Sequence, residues 1–269
     1  MKFALLSDVH GNLPALQAVA ADIAAWRPDV TVVCGDVVNR GPCPAGCWAF
    51  IQAQPGWQVI LGNHEEYVLA YTRPGSAVVQ PSFWTYQQLN GQVAALAALP
   101  ERLTFAAPDG SEMDVFHASA RGTQDGIYET TPAGEIRQQI GRAPALVAVG
   151  HTHLPFIRQV DETLVVNCGS AGAPCDDDRR ASYAQIEWRA GEWRARIVRV
   201  AYDLGQTDRD FHQSGFLALG PMADLIYHEW RIAHQVVIPW LRQEKPRVLA
   251  GEVTMAESVR GFLQQLGLV

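Results

Sequence analysis

FALLSDVHGN (residues 3–12) and VTVVCGDVVNRGP (residues 30–42) decide the fold. Each opens on a short apolar run that breaks off at an aspartate, Asp8 or Asp36. Such runs, Phe3 to Leu6 and the β-branched Val30 to Cys34, read as buried strands. Between them Leu13, Leu16, Val19, Ala20 and Ile23 recur at helical spacing, which predicts a helix over Leu13 to Trp26, ended by Pro28. The pattern then repeats. Pro44 suits the first turn of a helix running to Ile51, and Val59 to Leu61 reads as a third strand. Strands alternating with helices predict a parallel sheet with helices packed on it.

Outward from that unit, residues 65–100 carry no strand signal and predict a helical, lid-like segment that covers or flanks a site. Strands resume at Leu103–Ala106 and Met113–His117, and a helix is expected around Ala133–Ile140. Strands follow at Leu146–Val149, Phe156–Val160, Leu164–Val166, Ser182–Trp188 and Trp193–Val200, the last four so closely spaced that a meander or hairpins are expected. From Leu204 the chain turns helical. Met222, Leu225, Ile226, Trp230, Ala233, Val236, Val237, Trp240 and Leu241 form a stripe read as one amphipathic helix ended before Pro246. Thr254 to Leu266 reads as a final helix. The expected organisation is a catalytic domain over 1–203 and a helical C-terminal extension over 204–269, a cap or an oligomer contact.

Composition excludes several classes. The 269 residues are 48% hydrophobic and 18% charged, which argues against disorder and leaves ample material for a core. With 21 basic and 28 acidic residues the net charge is −7, so general nucleic-acid or anionic-membrane binding has no electrostatic support. The five cysteines, Cys34, Cys43, Cys47, Cys168 and Cys175, form no CxxC pair and are odd in number. A disulfide framework or zinc ribbon is therefore not expected, and reduced thiols are. The N-terminus lacks a leader pattern and no apolar stretch approaches roughly 18 residues, so a cytoplasmic protein is expected.

The informative polar residues stand where strands stop. Strand one ends in Asp8 and His10, strand two in Asp36, strand three in Asn63 and His64; later strands end in His117 and in His151 and His153. Open α/β sheets bind ligands at the carboxyl ends of their strands, so these side chains are expected to converge. Alternate residues of an extended segment point the same way, so Asp8 with His10 and His151 with His153 can each supply two ligands together. Imidazoles mixed with carboxylates and one amide suit Mn, Fe or Zn better than Ca or Mg. Each piece alone has a plainer reading as a turn, a helix cap or a buried histidine; the set in one order does not.

In this combination, Asp8-x-His10, Gly35-Asp36, Gly62-Asn63-His64-Glu65, His117 and Gly150-His151-Thr152-His153 resemble the calcineurin-like metallophosphoesterases. The stretch NCGSAGAPCDDDRRASY (167–183) resembles the small bacterial phosphodiesterase branch, with Cys168 in place of a proline. The resemblance covers residues 1 to about 200 and implies a four-layer α/β/β/α sandwich of two mixed sheets flanked by helices. It implies two divalent metal ions, Mn foremost with Fe or Zn as alternatives. One would be held by Asp8, His10, Asp36 and His153, the other by Asp36, Asn63, His117 and His151, with Asp36 bridging. His64 would be the leaving-group acid and Arg40 would contact substrate phosphate, next to Asn63 and His64. The implied reaction is hydrolysis of a phosphodiester or phosphomonoester of a small, possibly nucleotide, substrate by a hydroxide that bridges the metals. Two ions about 3.5–4 Å apart can acidify one water and clamp both oxygens of an in-line displacement.

One position departs from related phosphatases: Asn39 stands where an aspartate pairs with the acid histidine. An amide can orient an imidazole but cannot raise its pKa as an anion does, so good leaving groups are expected to be favoured. GDVVNRGP also resembles diadenosine tetraphosphate hydrolases, which makes dinucleoside polyphosphates the alternative substrate class. A non-catalytic scaffold is the alternative from another class; against it, every expected ligand position is filled.

Other features carry less. His228 and His234 are six apart, not the i, i+4 of a zinc protease helix. Asp176–Asp178 reads as a solvated loop, and Arg179 and Arg180 as surface or substrate contacts. Phe83, Trp84 and Tyr86 read as core or lid packing rather than a nucleobase platform. Ser7 and Ser170 lack a nucleophile elbow.

Overall fold

The computed structural model describes all 269 residues. Ten strands form two five-stranded sheets. The first holds β1 (Lys2–Leu6), β2 (Val30–Val33), β3 (Trp57–Val59), β9 (Ala181–Arg189) and β10 (Glu192–Val200), in the order β10-β9-β1-β2-β3. The second holds β4 (Arg102–Ala106), β5 (Glu112–Phe116), β6 (Leu146–Val149), β7 (Phe156–Val160) and β8 (Thr163–Asn167), in the order β4-β5-β6-β8-β7. β1 pairs parallel with β2 and antiparallel with β9, so the sheet is mixed; β6 and β8 are parallel while β7 and β8 are antiparallel.

The period of two along the strands builds four layers. Phe3 and Leu5 face Met113, Val115, Leu146 and Ala148 across the gap between the sheets. Ala4 and Leu6 face the other way, onto α1 (Leu13–Trp26) and α2 (Pro44–Gln52). On the far side Val147, Val149 and Val165 pack on Ile136 and Ile140 of α6 (Ala133–Ile140). The lid-like segment contains three helices, α3 (Asn63–Ala70), α4 (Gln80–Gln88) and α5 (Val93–Ala97). No helix is long and apolar enough to cross a membrane, and all five cysteines are free.

Two expectations need correction. The third strand is Trp57–Val59, two residues earlier than the apolar run indicated: the Ile60 N–H makes a last bond to the Val33 carbonyl, and the Leu61 N–H already turns to that of Pro100. Of the meander or hairpins expected for the four late strands, hairpins form, β7-β8 and β9-β10, in different sheets. The long amphipathic stripe is two helices, α8 (Pro221–Ile232) and α9 (Val237–Gln243), not one. Ala233 between them is left-handed (φ 52°), and its carbonyl accepts the Asp177 N–H. Glu229 then accepts the N–H groups of Val236 and Val237, both at 2.8 Å, which satisfies donors at the start of α9.

The remaining helices, α7 (Leu204–Gln213), α10 (Lys245–Leu249) and α11 (Met255–Gln265), complete the C-terminal part. It has its own apolar cluster, which includes Phe211, Phe216, Trp230 and Trp240 and reaches Trp84 of α4. The Trp84 and Phe216 rings meet edge to face at 5.5 Å, so Trp84 packs in a core. Thr207 of α7 donates to Asn12 Oδ1, the side chain that caps α1.

Candidate metal centre

The loops beyond the carboxyl ends of β1, β2, β5 and β6, with the first turn of α3, bring all the expected ligands together. Asp8 Oδ1 lies 3.3 Å from His153 Nε2 and 3.8 Å from His10 Nε2, and the two histidine nitrogens are 3.1 Å apart. Asn63 Oδ1 lies 2.9 Å from both His117 Nε2 and His151 Nδ1. Asp36 stands between the groups: its Oδ2 is 3.7 Å from His10 Nε2 and 3.4 Å from His117 Nε2.

The donor set fits divalent cations. Asp8 Oδ1 is buried and accepts no hydrogen bond, a cost that a cation would remove. Backbone carbonyls aim the rings. His117 Nδ1 lies 2.7 Å from the Cys34 oxygen and His153 Nδ1 lies 2.5 Å from that of Ala173. A proton on each Nδ1 turns the Nε2 lone pair toward the carboxylates, the outer-shell arrangement typical of metal histidines. The carboxylates are held in turn, Asp8 Oδ2 by the His151 N–H and Asp36 Oδ1 by the His64 N–H, both at 2.9 Å.

Electrostatics divides the imidazoles. Burial pushes His117 down, but the Asp36 and Asp8 carboxylates outweigh it and carry the ring up to about 10. His153 likewise rises well above its ordinary value beside Asp8 despite its burial. Burial, with His117 beside it, takes His151 down to about 4, and burial with neighbouring imidazoles takes His10 well below its usual range.

Extended geometry is not what pairs the ligands. Both strands end before them, and Asp8, His10, Asp36, His151 and His153 all have φ between 48° and 66°. His151 and His153 consequently turn to different groups, His151 toward His117 and Asn63, His153 toward Asp8 and His10. Glycines permit the crowding: a Cβ on Gly62 would stand 2.2 Å from Asp36 Oδ1.

His64 sits beside both groups, with its ring edge to face on His10 at 4.9 Å. Asn39 Oδ1 accepts the Arg40 N–H at 2.9 Å, which fixes the amide orientation, so its Nδ2 donates to His64 Nδ1 at 2.9 Å and to Ser82 Oγ at 2.9 Å. His64 therefore carries its proton on Nε2. Burial lowers its pKa to about 3; Asp36 opposes this and Arg40 adds to it.

Two residues without an assigned role in the sequence shape the site. Glu65 is fully buried and accepts four backbone N–H groups, those of Asp36 and Gly62 on Oε2 and of Val37 and Val38 on Oε1. The signal was present: Glu65 is the third residue of α3 and reaches back to the residue before the helix, as in a capping box. Glu229 of α8 bonds the Arg40 guanidinium with its other oxygen, Oε1. Nothing near Glu229 in sequence points to Arg40.

The minor candidates resolve simply. Asp176 pairs with Arg199, Asp178 with Arg180 and Asp177 with His234, while Arg179 lies over the Trp230 ring. None of them lines the cavity at the site.

The calcineurin-like phosphoesterase superfamily domain matches residues 1–191. An uncharacterized protein of Methanocaldococcus jannaschii is 27% identical over 75% of this chain and 88% of its own length. The crystal structure of a metallophosphoesterase from Sphaerobacter thermophilus is 28% identical, with a TM-score of 0.70 over 83% of this chain and 98% of that one. A hypothetical protein from Pyrococcus horikoshii shares the fold at 18% identity, with a TM-score of 0.72 over 84% and 97% of the two chains.

Proposed function

Since the chain belongs to the calcineurin-like phosphoesterase superfamily, we propose that it hydrolyses phosphate esters with two divalent metal ions, Mn foremost. Asp8, His10, Asp36 and His153 would hold one ion, and Asp36, Asn63, His117 and His151 the other. The observation that carries this reading is Asp36 Oδ2, which faces an imidazole of each group at 3.7 and 3.4 Å. When bound, such ions supply an acidified water and screen the phosphoryl charge.

The chain's own residues do the rest. Arg40 and Asn63 orient the phosphoryl group. An oxygen from water bonds to phosphorus, the P–O bond to the departing alcohol breaks, and the alcohol leaves with a proton. His64 assists by hydrogen bonding to the departing oxygen through Nε2–H. Asn39 donates to Nδ1, which holds this tautomer and opposes the imidazolium. His64 is accordingly a hydrogen-bond donor first and a weak acid, which suits leaving groups that need little protonation.

The test is hydrolysis of bis-p-nitrophenyl phosphate by metal-stripped protein with and without Mn²⁺. Turnover that appears on Mn²⁺ addition is expected; none with any divalent ion would favour a scaffold. The dinucleoside polyphosphate alternative finds less support. Only Arg40 and Lys245 supply permanent positive charge to the cavity, and Arg40 is bonded to Glu229.

A further inference from the structure

The cavity that opens on the metal groups holds about 440 Å³. That is within the roughly 300–1,000 Å³ of sites that enclose whole small molecules. The chemistry above uses one end. Much of the remaining lining is apolar, interrupted by Gln235 and Lys245: Val79 and Pro81 at the start of α4, Met222 and Ile226 from α8, Ile238 and Leu241 from α9. Four of these six come from the C-terminal part, beyond the residues that match the family. Ile238 is 38% exposed although it is a large aliphatic side chain on a cavity wall.

Charge narrows the ligand. A nucleic-acid strand or polyphosphate chain calls for a series of cations along its path. Here Glu229 neutralises Arg40, and Lys245 is the one other fixed cation on the wall. A single negative charge at the metal end, attached to an apolar body, matches what the wall presents.

We propose that the walls from α4, α8 and α9 form a subsite for a bulky apolar or aromatic arm, and that the substrate is a phosphodiester carrying one. The assignment rests on the phosphoesterase reading above. The phosphoryl group lies at the paired ligand groups and the arm lies against Ile226, Ile238 and Leu241. Discrimination follows from burial, since each methylene-sized group removed from water favours binding roughly fourfold.

Two readouts test it. On Mn²⁺-loaded protein, phenyl p-nitrophenyl phosphate and methyl p-nitrophenyl phosphate share a leaving group and differ in the arm. The phenyl ester is expected to show kcat/KM roughly tenfold or more above the methyl ester. Calorimetry with diphenyl and dimethyl phosphate should give the same preference in binding. Ile238→Gln, at a half-open position where folding is little affected, should shrink both preferences. Equal turnover and equal binding of the two arms would overturn the subsite while leaving the phosphoesterase reading intact. Tighter binding of diphenyl phosphate with no hydrolysis of any ester under any divalent ion would overturn the phosphoesterase reading, and with it the substrate assignment.

Discussion

Replacing Glu229 with glutamine breaks the link between the C-terminal helices and Arg40 while keeping the shape of the side chain. Glu229 and Arg40 side chains are only 4% and 14% exposed, so the pair is a buried one. The amide oxygen of glutamine can still accept from Val236 and Val237, but its NH₂ then faces the guanidinium donor to donor. Removing one partner of a buried ion pair costs about 3–5 kcal/mol, because the other charge is left uncompensated. At about 2–4 °C per kcal/mol for a chain of this size, the melting midpoint should fall by roughly 6–20 °C. Arg40→Met, which removes the other charge, should also destabilise, and the double variant should recover part of the sum. A double-mutant cycle by chemical denaturation, at fixed metal content, should give a coupling of roughly 2–3 kcal/mol. The reasoning is refuted if Glu229→Gln lies within about 0.5 kcal/mol of wild type, the ordinary range of surface substitutions, or if the single effects simply add.

Four further outcomes follow from the site. Asp36→Ala should lose both metals and nearly all activity; two ions retained by elemental analysis would contradict the bridge. Asn39→Asp puts an acceptor against His64 Nδ1 and should raise the His64 pKa from about 3, so poor leaving groups gain most; an unchanged dependence of rate on leaving-group pKa would count against it. The third concerns pH. His117, at about 10, and His153 have raised folded values. Without metal, their contribution to stability is full below the ordinary histidine value near 6.5 and is lost as pH rises through those raised values. Metal binding at pH 8 must therefore expel the His117 proton, and affinity should climb as pH rises toward 10. Calorimetry in two buffers of different ionisation enthalpy reads the release, and its absence would refute the assignment. Glu65→Gln leaves two of four backbone donors facing an NH₂ group, at about 1–3 kcal/mol each. Its metal affinity should also fall by about 10–100-fold, measured by competition with a chelator.

Much of the scaffold could be read from local pattern. The helix Leu13–Trp26 has the limits its apolar spacing and Pro28 suggest, because that helix buries one stripe against one sheet. The ligand set is legible because each member follows an apolar run. What pattern could not supply was direction. Left-handed residues at Asp8, His10, His151 and His153 leave no periodic mark, so alternation does not describe how these side chains come to face one another. The break at Ala233 was hidden for a related cause. Trp230, Ala233, Val236 and Val237 are all buried, so the stripe continues unbroken through a helix break held by hydrogen bonds to Glu229 and Asp177. The Arg40–Glu229 pair joins positions 189 apart, beyond the reach of any local reading.

Four of the six apolar wall residues and the residue that grips Arg40 are encoded after residue 191, whereas every residue proposed to hold metal is encoded before it. On the proposed reading, reactivity is written in one stretch of the gene and most of the choice of guest in another. Drift in the tail would then retune which molecule is admitted while the hydrolytic machinery stayed as it is, and grafting a different tail onto the same sandwich would be a route to a new selectivity.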